Sequence, residues 1–340
     1  MKFKRGDILK LQNYIAEKQT VTVITHYNPD GDAVGSGTAL FHYLKLLLKD
    51  VHFIIPNNVP YSINFLLQDV DYTIAERDFK KAKQRLMQTD LLFMVDINNY
   101  SRCGDNLERV LKEISPSTVL IDHHVGPQAY DVVFSYPDAS STCEAVWNVL
   151  NRLSGKKIFP QNISRALYTG IMTDTGSLSF SCNHPELYTV IANLLKSGIV
   201  ASKINQKIFD TYSADRLSLL GYAISKKLKV FPKQRAAFIA LSAKELNDFH
   251  YQAGDLEGVV NYCLKLEQVD FCALLSERDN KIRMSFRSKD ESIDVNKFAM
   301  KYWNGGGHVM ASGGKSFLPL KQVVEILTKQ IYNKEFIVRN

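Results

Sequence analysis

Short, continuous apolar segments alternate with helix-like segments through the first half of the chain, and this alternation is what most constrains the fold. Strands are predicted at residues 21–25, 51–55, 91–95 and 117–121. Helices are predicted between them at residues 33–48 and 102–114. Strands that are apolar at every position are buried on both faces, as in a parallel sheet covered by helices. The pattern therefore predicts an α/β fold with a parallel sheet in an N-terminal domain.

The second half of the chain predicts helices followed by a smaller α/β domain. Helical patterns run from about residue 143 to residue 195, and a helical connector is predicted at residues 201–230. Further strands are predicted at residues 236–241, 269–276 and 281–286, followed by a glycine-rich segment at 305–314 and an amphipathic helix at 320–331. A chain of 340 residues is long enough for two separate cores. We therefore place the two domains at residues 1–200 and 231–340.

The composition argues against secretion and membrane insertion. The N-terminal segment is charged and lacks the apolar core of a secretion signal. The longest apolar stretch, at residues 39–48, is far shorter than the ~20 residues that span a bilayer. The five cysteines include no C-x-x-C pair, and an odd number cannot all pair, which is typical of free thiols in a reducing cytosol. We therefore expect a cytoplasmic protein without a membrane partner.

Acidic and imidazole side chains follow three of the predicted strands. They are His26, Asp30 and Asp32 after the first strand, Asp96 after the third, and Asp122, His123 and His124 after the fourth. A further acid, Asp174, ends an apolar helical run. Ligands of parallel α/β sheets bind at the carboxyl ends of the strands. We therefore expect these side chains to converge at one edge of the sheet.

Each of these residues alone has a structural explanation. Asp30 and Asp32 flank a glycine in a turn, and Asp32 would serve as a helix cap. Asp96 would be a loop residue, and His123 or His124 a hydrogen-bonded structural histidine. Together, however, several carboxylates at one edge repel each other unless a positive charge neutralises them.

Divalent metal ions would supply that charge. Four or more carboxylates with two imidazoles are enough to hold two ions, with one carboxylate bridging them. Paired ions ~3.5–4 Å apart stabilise both the entering and the leaving oxygen during in-line attack on phosphorus. Oxygen and imidazole donors without thiolates favour Mn²⁺ first and Mg²⁺ second, with zinc or iron as alternatives.

The set of motifs resembles the DHH phosphoesterase superfamily. The motifs are HYNPDGDAVGS at residues 26–36, Asp96, the Asp122-His123-His124 triplet, and the DTG sequence at residues 174–176. The glycine-rich segment GGGHVMASGG resembles the signature of the associated C-terminal domain. Within the superfamily, the length of the chain is most similar to the bacterial nanoRNase/pAp phosphatase group. That group cleaves short oligoribonucleotides and removes the 3′-phosphate from adenosine 3′,5′-bisphosphate (pAp).

The resemblance implies a role for each motif residue and a catalytic cleft between the two domains. One metal ion would be held by His26, Asp30 and Asp96, and a second by Asp32, Asp96, His123 and Asp174, with Asp96 as the bridge. Asp122 would orient His123 or the backbone of the triplet, and His124 would contact the phosphate that is cleaved or the leaving oxygen.

Candidate substrate-binding residues lie mainly in the second domain. Arg287 and Ser288 follow a predicted strand, and the family's matching pair contacts substrate phosphate. Gly306 and Gly307 would bring backbone N–H groups close to an anion, and His308 would donate to a phosphate or stack on a base. A plain glycine turn is the competing interpretation. Arg102 would either reach the substrate or form a surface salt bridge.

The resemblance implies a short RNA or a small nucleotide as the partner, and the net charge of +7 fits an anionic substrate. The same charge would also arise from incidental surface residues. A phosphodiesterase for cyclic di-AMP or pApA is an alternative, and a non-catalytic nucleotide sensor or RNA-binding module is an alternative of another class. No obligate protein partner is evident, and a homodimer stays open.

Overall fold

The computed structural model describes residues 5–337, so the ends of the two predicted domains, residues 1–4 and 338–340, lie outside it. The chain divides into two compact units, an N-terminal unit at residues 1–211 and a C-terminal unit at residues 212–340. The segment predicted as a connector, residues 201–230, contributes helices to both units. Within the described residues, no helix combines the length and the apolar character needed to cross a bilayer.

The N-terminal unit has a six-stranded sheet surrounded by helices. Its strands are β1 (Thr20–Ile24), β2 (Asp50–Ile55), β3 (Tyr72–Ile74), β4 (Leu91–Val95), β5 (Ser117–Asp122) and β6 (Val132–Ser135). Its helices are α1 (Arg5–Glu17), α2 (Gly31–Leu46), α3 (Phe79–Met87), α4 (Asp105–Glu113), α5 (Thr142–Ser154), α6 (Gln161–Asp174), α7 (Pro185–Leu195) and α8 (Ala201–Phe209). The sequence patterns miss the short strands β3 and β6 and the helices α1 and α3.

The strand order of this sheet is β3-β2-β1-β4-β5-β6, and every pair is parallel. The predicted parallel-sheet α/β fold is therefore confirmed. Chain order reverses between β1 and β4, which lie side by side. In open α/β sheets this switch point leaves a crevice at the carboxyl ends of the strands, where ligands bind.

Two hydrophobic cores cover the two faces of the sheet. Val23 and Phe93 pack in the core that includes α2, α5 and α6, whereas Ile24 and Met94 pack in the core that includes α3 and α4. Successive strand residues point to opposite faces of the sheet. All four side chains are fully buried because a core covers each face. Each such side chain stabilises the fold by about 1.5–3 kcal/mol.

The prediction of one continuous helix at residues 102–114 is wrong for its first turn. Residues Tyr100–Cys103 form a short 3₁₀ helix, and α4 begins only at Asp105. Gly104 separates them with φ +88°, a conformation that interrupts a helix and that glycine adopts most readily.

The C-terminal unit contains a second, mixed sheet. Its strands are β7 (Leu228–Phe231), β8 (Ala236–Leu241), β9 (Phe271–Arg278), β10 (Lys281–Ser288), β11 (Gly306–Gly307) and β12 (Ala311–Ser316). Its helices are α9 (Ala214–Tyr222), α10 (Ala243–Asp248), α11 (Asn261–Leu264), α12 (Val295–Tyr302) and α13 (Leu320–Tyr332). The order is β11-β12-β10-β9-β8-β7, and only β8 and β9 are parallel.

Helices lie on both faces of this sheet as well. Phe238 and Phe286 pack in a core with residues of α12 and α13, whereas Ile239 and Leu274 pack in a core with residues of α9, α10 and α11. The even-numbered residues of β10 are buried and the odd-numbered ones are partly exposed. The odd-numbered side chains of β10 therefore lie on the same face as Leu274, and helices cover that face only in part.

Candidate metal centre and active site

Three adjacent strands deliver the chemically active side chains to the switch point. His26 follows β1, Asp96 follows β4, and Asp122 is the last residue of β5. The neighbouring acids come from helix ends, because Asp30 caps α2 and Asp174 ends α6. The structure thus brings together, within the N-terminal unit, side chains that are far apart in sequence.

His26, Asp30 and Asp96 form one group of potential metal ligands. His26 Nε2 lies 3.2 Å from Asp96 Oδ2 and 4.0 Å from Asp30 Oδ2. The other oxygen of Asp30 accepts hydrogen bonds from the amides of Asp32 and Ala33, each 3.0 Å long. The helix cap considered for Asp32 is therefore formed by Asp30, which leaves Asp32 for another role.

Asp32, Asp96, His123 and Asp174 form a second group that shares Asp96 with the first. His123 Nε2 lies 3.9 Å from Asp32 Oδ2, 3.7 Å from Asp96 Oδ1 and 3.6 Å from Asp174 Oδ2. The ligand atoms of His26, Asp30 and Asp96 lie within 4.8 Å of one another, as do those of Asp32, Asp96 and His123. Asp96 therefore has one oxygen towards each group.

The backbone of Asp96 makes this central position possible. Its φ is +57°, a left-handed conformation that Asp and Asn tolerate better than most residues. Its amide donates to the carbonyl of Ile121 on β5 with a bond of 3.1 Å, so the chain turns sharply where β4 ends. Its side chain is buried, with 3% of its surface exposed.

Glycines allow α2 and α6 to approach closely enough to bring Asp32 and Asp174 to the same site. A Cβ on Gly31 would lie 2.2 Å from Thr173 Oγ1, and one on Gly170 would lie 2.2 Å from Cys143 Sγ and 3.0 Å from the Cα of Asp32. Real Cβ atoms essentially never approach other atoms as closely as 2.2 Å. The small residues therefore set the separation of the two helices.

Replacement of Gly170 by alanine should destabilise the N-terminal unit by about 1–3 kcal/mol, the usual cost of overpacking a core. The matched control is Gly221→Ala in α9, where a Cβ would meet nothing within 4 Å. The control should be neutral or slightly stabilising, because alanine favours helix over glycine by about 1 kcal/mol. Urea unfolding of both variants measures the difference, and an equally stable Gly170→Ala protein would contradict the packing argument.

Asp122 and His124 form a separate hydrogen-bonded pair beside Asp96. Asp122 is fully buried, and its Oδ1 accepts hydrogen bonds from His124 Nδ1 at 2.8 Å and from the amide of His123 at 2.9 Å. This arrangement holds the backbone of the triplet and sets the ring of His124. His124 Nδ1 also lies 3.4 Å from Asp96 Oδ1.

The start of α5 supplies contacts that the sequence analysis missed. The amides of Thr142 and Cys143 donate to the two oxygens of Asp32 at 2.6 and 2.8 Å. The hydroxyl of Thr142 donates to Asp96 Oδ1 at 3.0 Å. The first amides of a helix have no partner within the helix, and the helix dipole favours a carboxylate there. One turn of α5 therefore orients a member of each ligand group.

Glu144 holds this turn in place. Its buried carboxylate accepts from the amide of Ser140 at 2.8 Å and lies 3.0 Å from Nε2 of His184, the residue that caps α7. Ser141 caps α5 by accepting from the amide of Glu144. The Glu144–His184 contact ties the α5 turn to the end of the segment that follows Asp174.

Removal of the Thr142 hydroxyl should reduce catalysis without unfolding the protein. Thr142→Val keeps the shape and the backbone amide but loses the hydrogen bond to Asp96. We expect kcat to fall about 10–100-fold, the loss typical for partners of metal ligands. Thr142→Ser keeps a hydroxyl and should retain most activity. Steady-state kinetics on both variants decide the point, and equal activity of Val and Ser variants would rule out the role.

The acidic groups of the site perturb one another strongly. Burial and the charges of Asp96 and Asp174 raise the pKa of Asp32 well above its usual value. Burial, with the charges of Asp30 and Asp96, raises the pKa of Asp174 to about 7. Burial opposes protonation of His123, but the surrounding carboxylates outweigh it and raise its pKa to about 9. The site thus holds more negative charge than its own residues neutralise.

The donor atoms fit a hard or borderline divalent ion. Carboxylates and imidazoles face one another, whereas the nearest thiol, Cys143, points to the carbonyls of Asp32 and Ala166. Burial raises the pKa of the Cys143 thiol well above its usual value, so it stays protonated. Oxygen and imidazole ligands suit Mn²⁺ and Mg²⁺.

Arg102 lies near this site, in the 3₁₀ turn before α4. Its carbonyl accepts from the amide of Tyr27 at 2.7 Å. Burial lowers the pKa of His26, the carboxylates of Asp96 and Asp30 raise it overall, and the positive charge of Arg102 opposes them. The guanidinium is therefore close enough to His26 to affect its charge.

The substrate-binding candidates of the C-terminal unit lie on β10 and around the β11–β12 hairpin. The prediction that Arg287 and Ser288 follow a strand is wrong, because β10 continues through both. Arg287 Nη1 donates to the carbonyl of Phe286, and the hydroxyl of Ser288 is buried without a hydrogen-bond partner among residues 5–337. His308 lies in the hairpin loop, where its amide donates to the carbonyl of Ala311.

The glycines of the hairpin have a structural reason to be glycine. A Cβ on Gly305 would lie 1.9 Å from the carbonyl oxygen of Gly313, and Gly307 has φ +154°. The amide of Gly307 donates to Asn296 Oδ1 at 2.9 Å, while Gly306 is exposed. The local backbone therefore requires glycine at positions 305 and 307, whatever they bind.

Comparisons with known proteins agree with the fold. The model of the DHH family N-terminal domain matches residues 20–171, and that of the DHHA1 domain matches residues 236–332. Two relatives named bifunctional oligoribonuclease and PAP phosphatase NrnA are each 25% identical to this chain. The one from Thermus thermophilus aligns with 86% of this chain and 83% of its own, and the one from Mycoplasma genitalium with 97% and 100%. A crystal structure of an exopolyphosphatase-related protein from Bacteroides fragilis is 31% identical with a TM-score of 0.92, covering 97% of this chain and 96% of that one.

The chain therefore belongs to the DHH family of phosphoesterases and carries a C-terminal DHHA1 domain. It is an enzyme of the hydrolase class, as the DHH motif set predicts.

Proposed function

We propose that this protein is a two-metal phosphoesterase that hydrolyses short oligoribonucleotides to mononucleotides and removes the 3′-phosphate from pAp. The observation that carries the proposal is the shared position of Asp96 between two groups of potential ligands at the switch point. The names of the two relatives support the choice of substrate, since they combine both activities.

The ligand assignment follows the two groups. His26, Asp30 and Asp96 would hold one divalent ion, and Asp32, Asp96, His123 and Asp174 the other. Asp32 can do so while bound to the α5 amides, because a carboxylate offers about four lone-pair sites. Mn²⁺ is the favoured ion and Mg²⁺ the second choice. When bound, such a pair supplies positive charge to the attacking and leaving oxygens of an in-line displacement.

His124 and Asp122 would act on the substrate phosphate. Because His124 Nδ1 is bonded to Asp122, Nε2 is the nitrogen through which His124 would contact a phosphate oxygen. Asp122 would act through His124 by fixing the orientation of its ring. Arg102 would add a positive charge on the His26 side of the site.

The C-terminal unit would bind the rest of the substrate. It has 20 lysine and arginine residues against 14 acidic ones, whereas the N-terminal unit has 22 against 21. Most of the positive excess therefore lies in the C-terminal unit, where an anionic substrate would be attracted. Arg287 and Ser288 would hold a phosphate, Gly306 and Gly307 would let it approach the backbone, and His308 would donate to it or stack on a base.

A side-by-side turnover assay in Mn²⁺ tests the function. The substrates are pAp, RNA of two to five nucleotides, a long RNA, pApA and cyclic di-AMP. We expect rapid release from pAp and short RNA and little from long RNA. Preference for pApA or cyclic di-AMP would move the protein to dinucleotide turnover with the same site. Metal binding with no hydrolysis of any substrate would favour a nucleotide sensor and reject the proposal.

Arg287→Ala tests the substrate side. Loss of the guanidinium should raise the Michaelis constant for short substrates, while Arg287→Lys should recover part of the loss because it keeps the charge but not the two-pronged geometry. An unchanged Michaelis constant in both variants would remove Arg287 from the binding site. Cytoplasmic location, the absence of an obligate partner and a homodimer stay predictions.

A further inference from the structure

One face of the C-terminal sheet carries a row of four basic residues, of which the proposed active site uses only Arg287. The odd-numbered residues of β10 share that face with Lys315 of β12, since Arg283 lies directly opposite Lys315 and Arg287 opposite Ala311. We call the set of Lys281, Arg283, Arg287 and Lys315 the basic strip. All four are partly or fully exposed.

The strip is unfavourable without an anion. Arg283 and Lys315 are cross-strand partners, and like charges in that position are destabilising. Lys281 also pairs with a basic residue, Arg278 of β9. The acid that relieves this repulsion, Asp279 in the β9–β10 turn, lies 2.7 Å from Arg283 Nη2 and can compensate only one charge.

Protection of a sheet edge does not explain the strip. Lysines on edge strands prevent pairing with other chains. β10 lies between β9 and β12, so its backbone is already paired on both sides. The other face of the strand is buried against α12 and α13, and no residue at the strip face of β9, β10 or β12 is acidic.

The spacing of the strip suits a chain of phosphates. Residues two apart on a strand are about 7 Å apart, so Arg287, Ser285 and Arg283 repeat hydrogen-bond donors at that interval. Ser285 is partly exposed on the same face, opposite Gly313, whose Cβ would have only one neighbour at 3.6 Å. On the side towards β12 the face is partly exposed, carries donors in a line, and begins at the arginine already assigned to a substrate phosphate. On the side towards β9, Cys272 and Leu274 are buried in the core that includes α11.

We propose that the basic strip binds the further phosphates of a short oligoribonucleotide, with Arg283 and Lys315 holding the backbone beyond the phosphate at Arg287. This inference rests on the proposed function and deepens it. The strip lets the enzyme accept several nucleotides, whereas pAp is too short to reach Arg283. The contribution of the strip should therefore grow with substrate length.

The test compares the Arg283→Gln/Lys315→Gln double variant with wild type on pAp and on RNA of two, three and five nucleotides. We expect kcat/KM for the pentamer to fall about tenfold, the dimer to change little, and pAp to change less than twofold. Two lost phosphate contacts should also reduce the slope of log kcat/KM against log salt by about 1.4 for the pentamer. That change corresponds to about a sevenfold difference between 50 and 200 mM salt.

The matched control is Lys321→Gln/Lys329→Gln, which removes two exposed charges from α13 on the other face of the sheet. The control should leave the length dependence and the salt slope unchanged. If the double variant does not fold, Lys315→Gln alone replaces it, because Lys315 has an exposed side chain. This single variant should show about half of the double variant's reduction in the salt slope. Equal losses on pAp and pentamer, an unchanged pentamer slope, or an equal effect in the control would overturn the inference.

Failure of this inference can be separated from failure of the proposed function. Wild-type turnover of pAp and short RNA tests the function by itself. If wild type turns over neither substrate, fluorescence anisotropy of a labelled RNA pentamer with the same variants still measures RNA binding by the basic strip. Binding that is independent of Arg283 and Lys315 would then reject the strip as well.

Discussion

Replacement of Asp96 by asparagine should lower turnover by more than about 100-fold, beyond the loss typical for outer partners of metal ligands. Asp96 Oδ2 lies 3.2 Å from His26, and Oδ1 lies 3.7 Å from His123. Asparagine removes the charge shared by the two groups. It also keeps the left-handed backbone at φ +57°, which asparagine adopts readily, and it can still accept from Thr142.

The control for this substitution is Asp90→Asn, which changes the same residue type at the opposite end of β4. Asp90 is exposed and accepts from the amide of Thr20, a bond that asparagine can also make. Asp30→Asn should disturb one group of ligands, whereas Asp96→Asn should disturb both groups. The number of Mn²⁺ ions bound per protein, measured by electron paramagnetic resonance, should therefore differ between the two variants. Turnover by Asp96→Asn within tenfold of wild type, with normal folding, would refute a shared ligand.

Addition of Mn²⁺ to the metal-free protein should raise the melting temperature of the N-terminal unit by about 5–10 °C. A ligand at 100 times its Kd stabilises the folded state by about 2.7 kcal/mol, and about 2–4 °C accompanies each kcal/mol in a unit of this size. The physical reason is that Asp30, Asp32, Asp96 and Asp174 crowd together, and a cation relieves their repulsion. Calorimetry with and without a chelator measures the shift. No shift at millimolar Mn²⁺ or Mg²⁺ would contradict the metal assignment.

The rise in melting temperature caused by Mn²⁺ should increase with pH between about 6 and 9. The pKa of Asp174 is raised to about 7 and that of His123 to about 9 in the metal-free protein. Groups with raised folded-state pKa values stabilise the metal-free protein at low pH, and this contribution disappears as pH rises through those values. A metal ion must displace their protons, so it competes poorly at pH 6 and well at pH 9. A shift that is constant or falls with pH would contradict this sign.

Much of the N-terminal fold and most of the candidate ligands follow from local sequence. A strand buried on both faces needs an apolar run, and the runs ending at Ile24, Val95 and Asp122 carry that signal without any partner strand. Because parallel strands end at one edge, polar residues after those runs had to share it. The short strands β3 and β6 were missed because three or four residues carry too little periodicity.

Other parts of the site depend on contacts that leave no mark on residue identity. The bonds from the Thr142 and Cys143 amides to Asp32 join residues 110 and 111 positions apart. Every residue except proline has a backbone N–H, so nothing in the local sequence distinguishes the amides that bind Asp32 from any others. The left-handed turn at Asp96 likewise depends on its bond to β5.

The basic strip also depends partly on local sequence and partly on tertiary contacts. The sequence contains Lys281, Arg283 and Arg287 at alternate positions of one strand, which predicts that they share a face. Only strand register places Lys315 opposite Arg283, because pairing between β10 and β12 is decided by the buried partners Phe286 and Ser312 on the other face. The sequence by itself thus determined which side chains are candidates for the chemistry and on which elements they lie. The tertiary structure alone decided which of them meet, since that depends on the packing of distant segments.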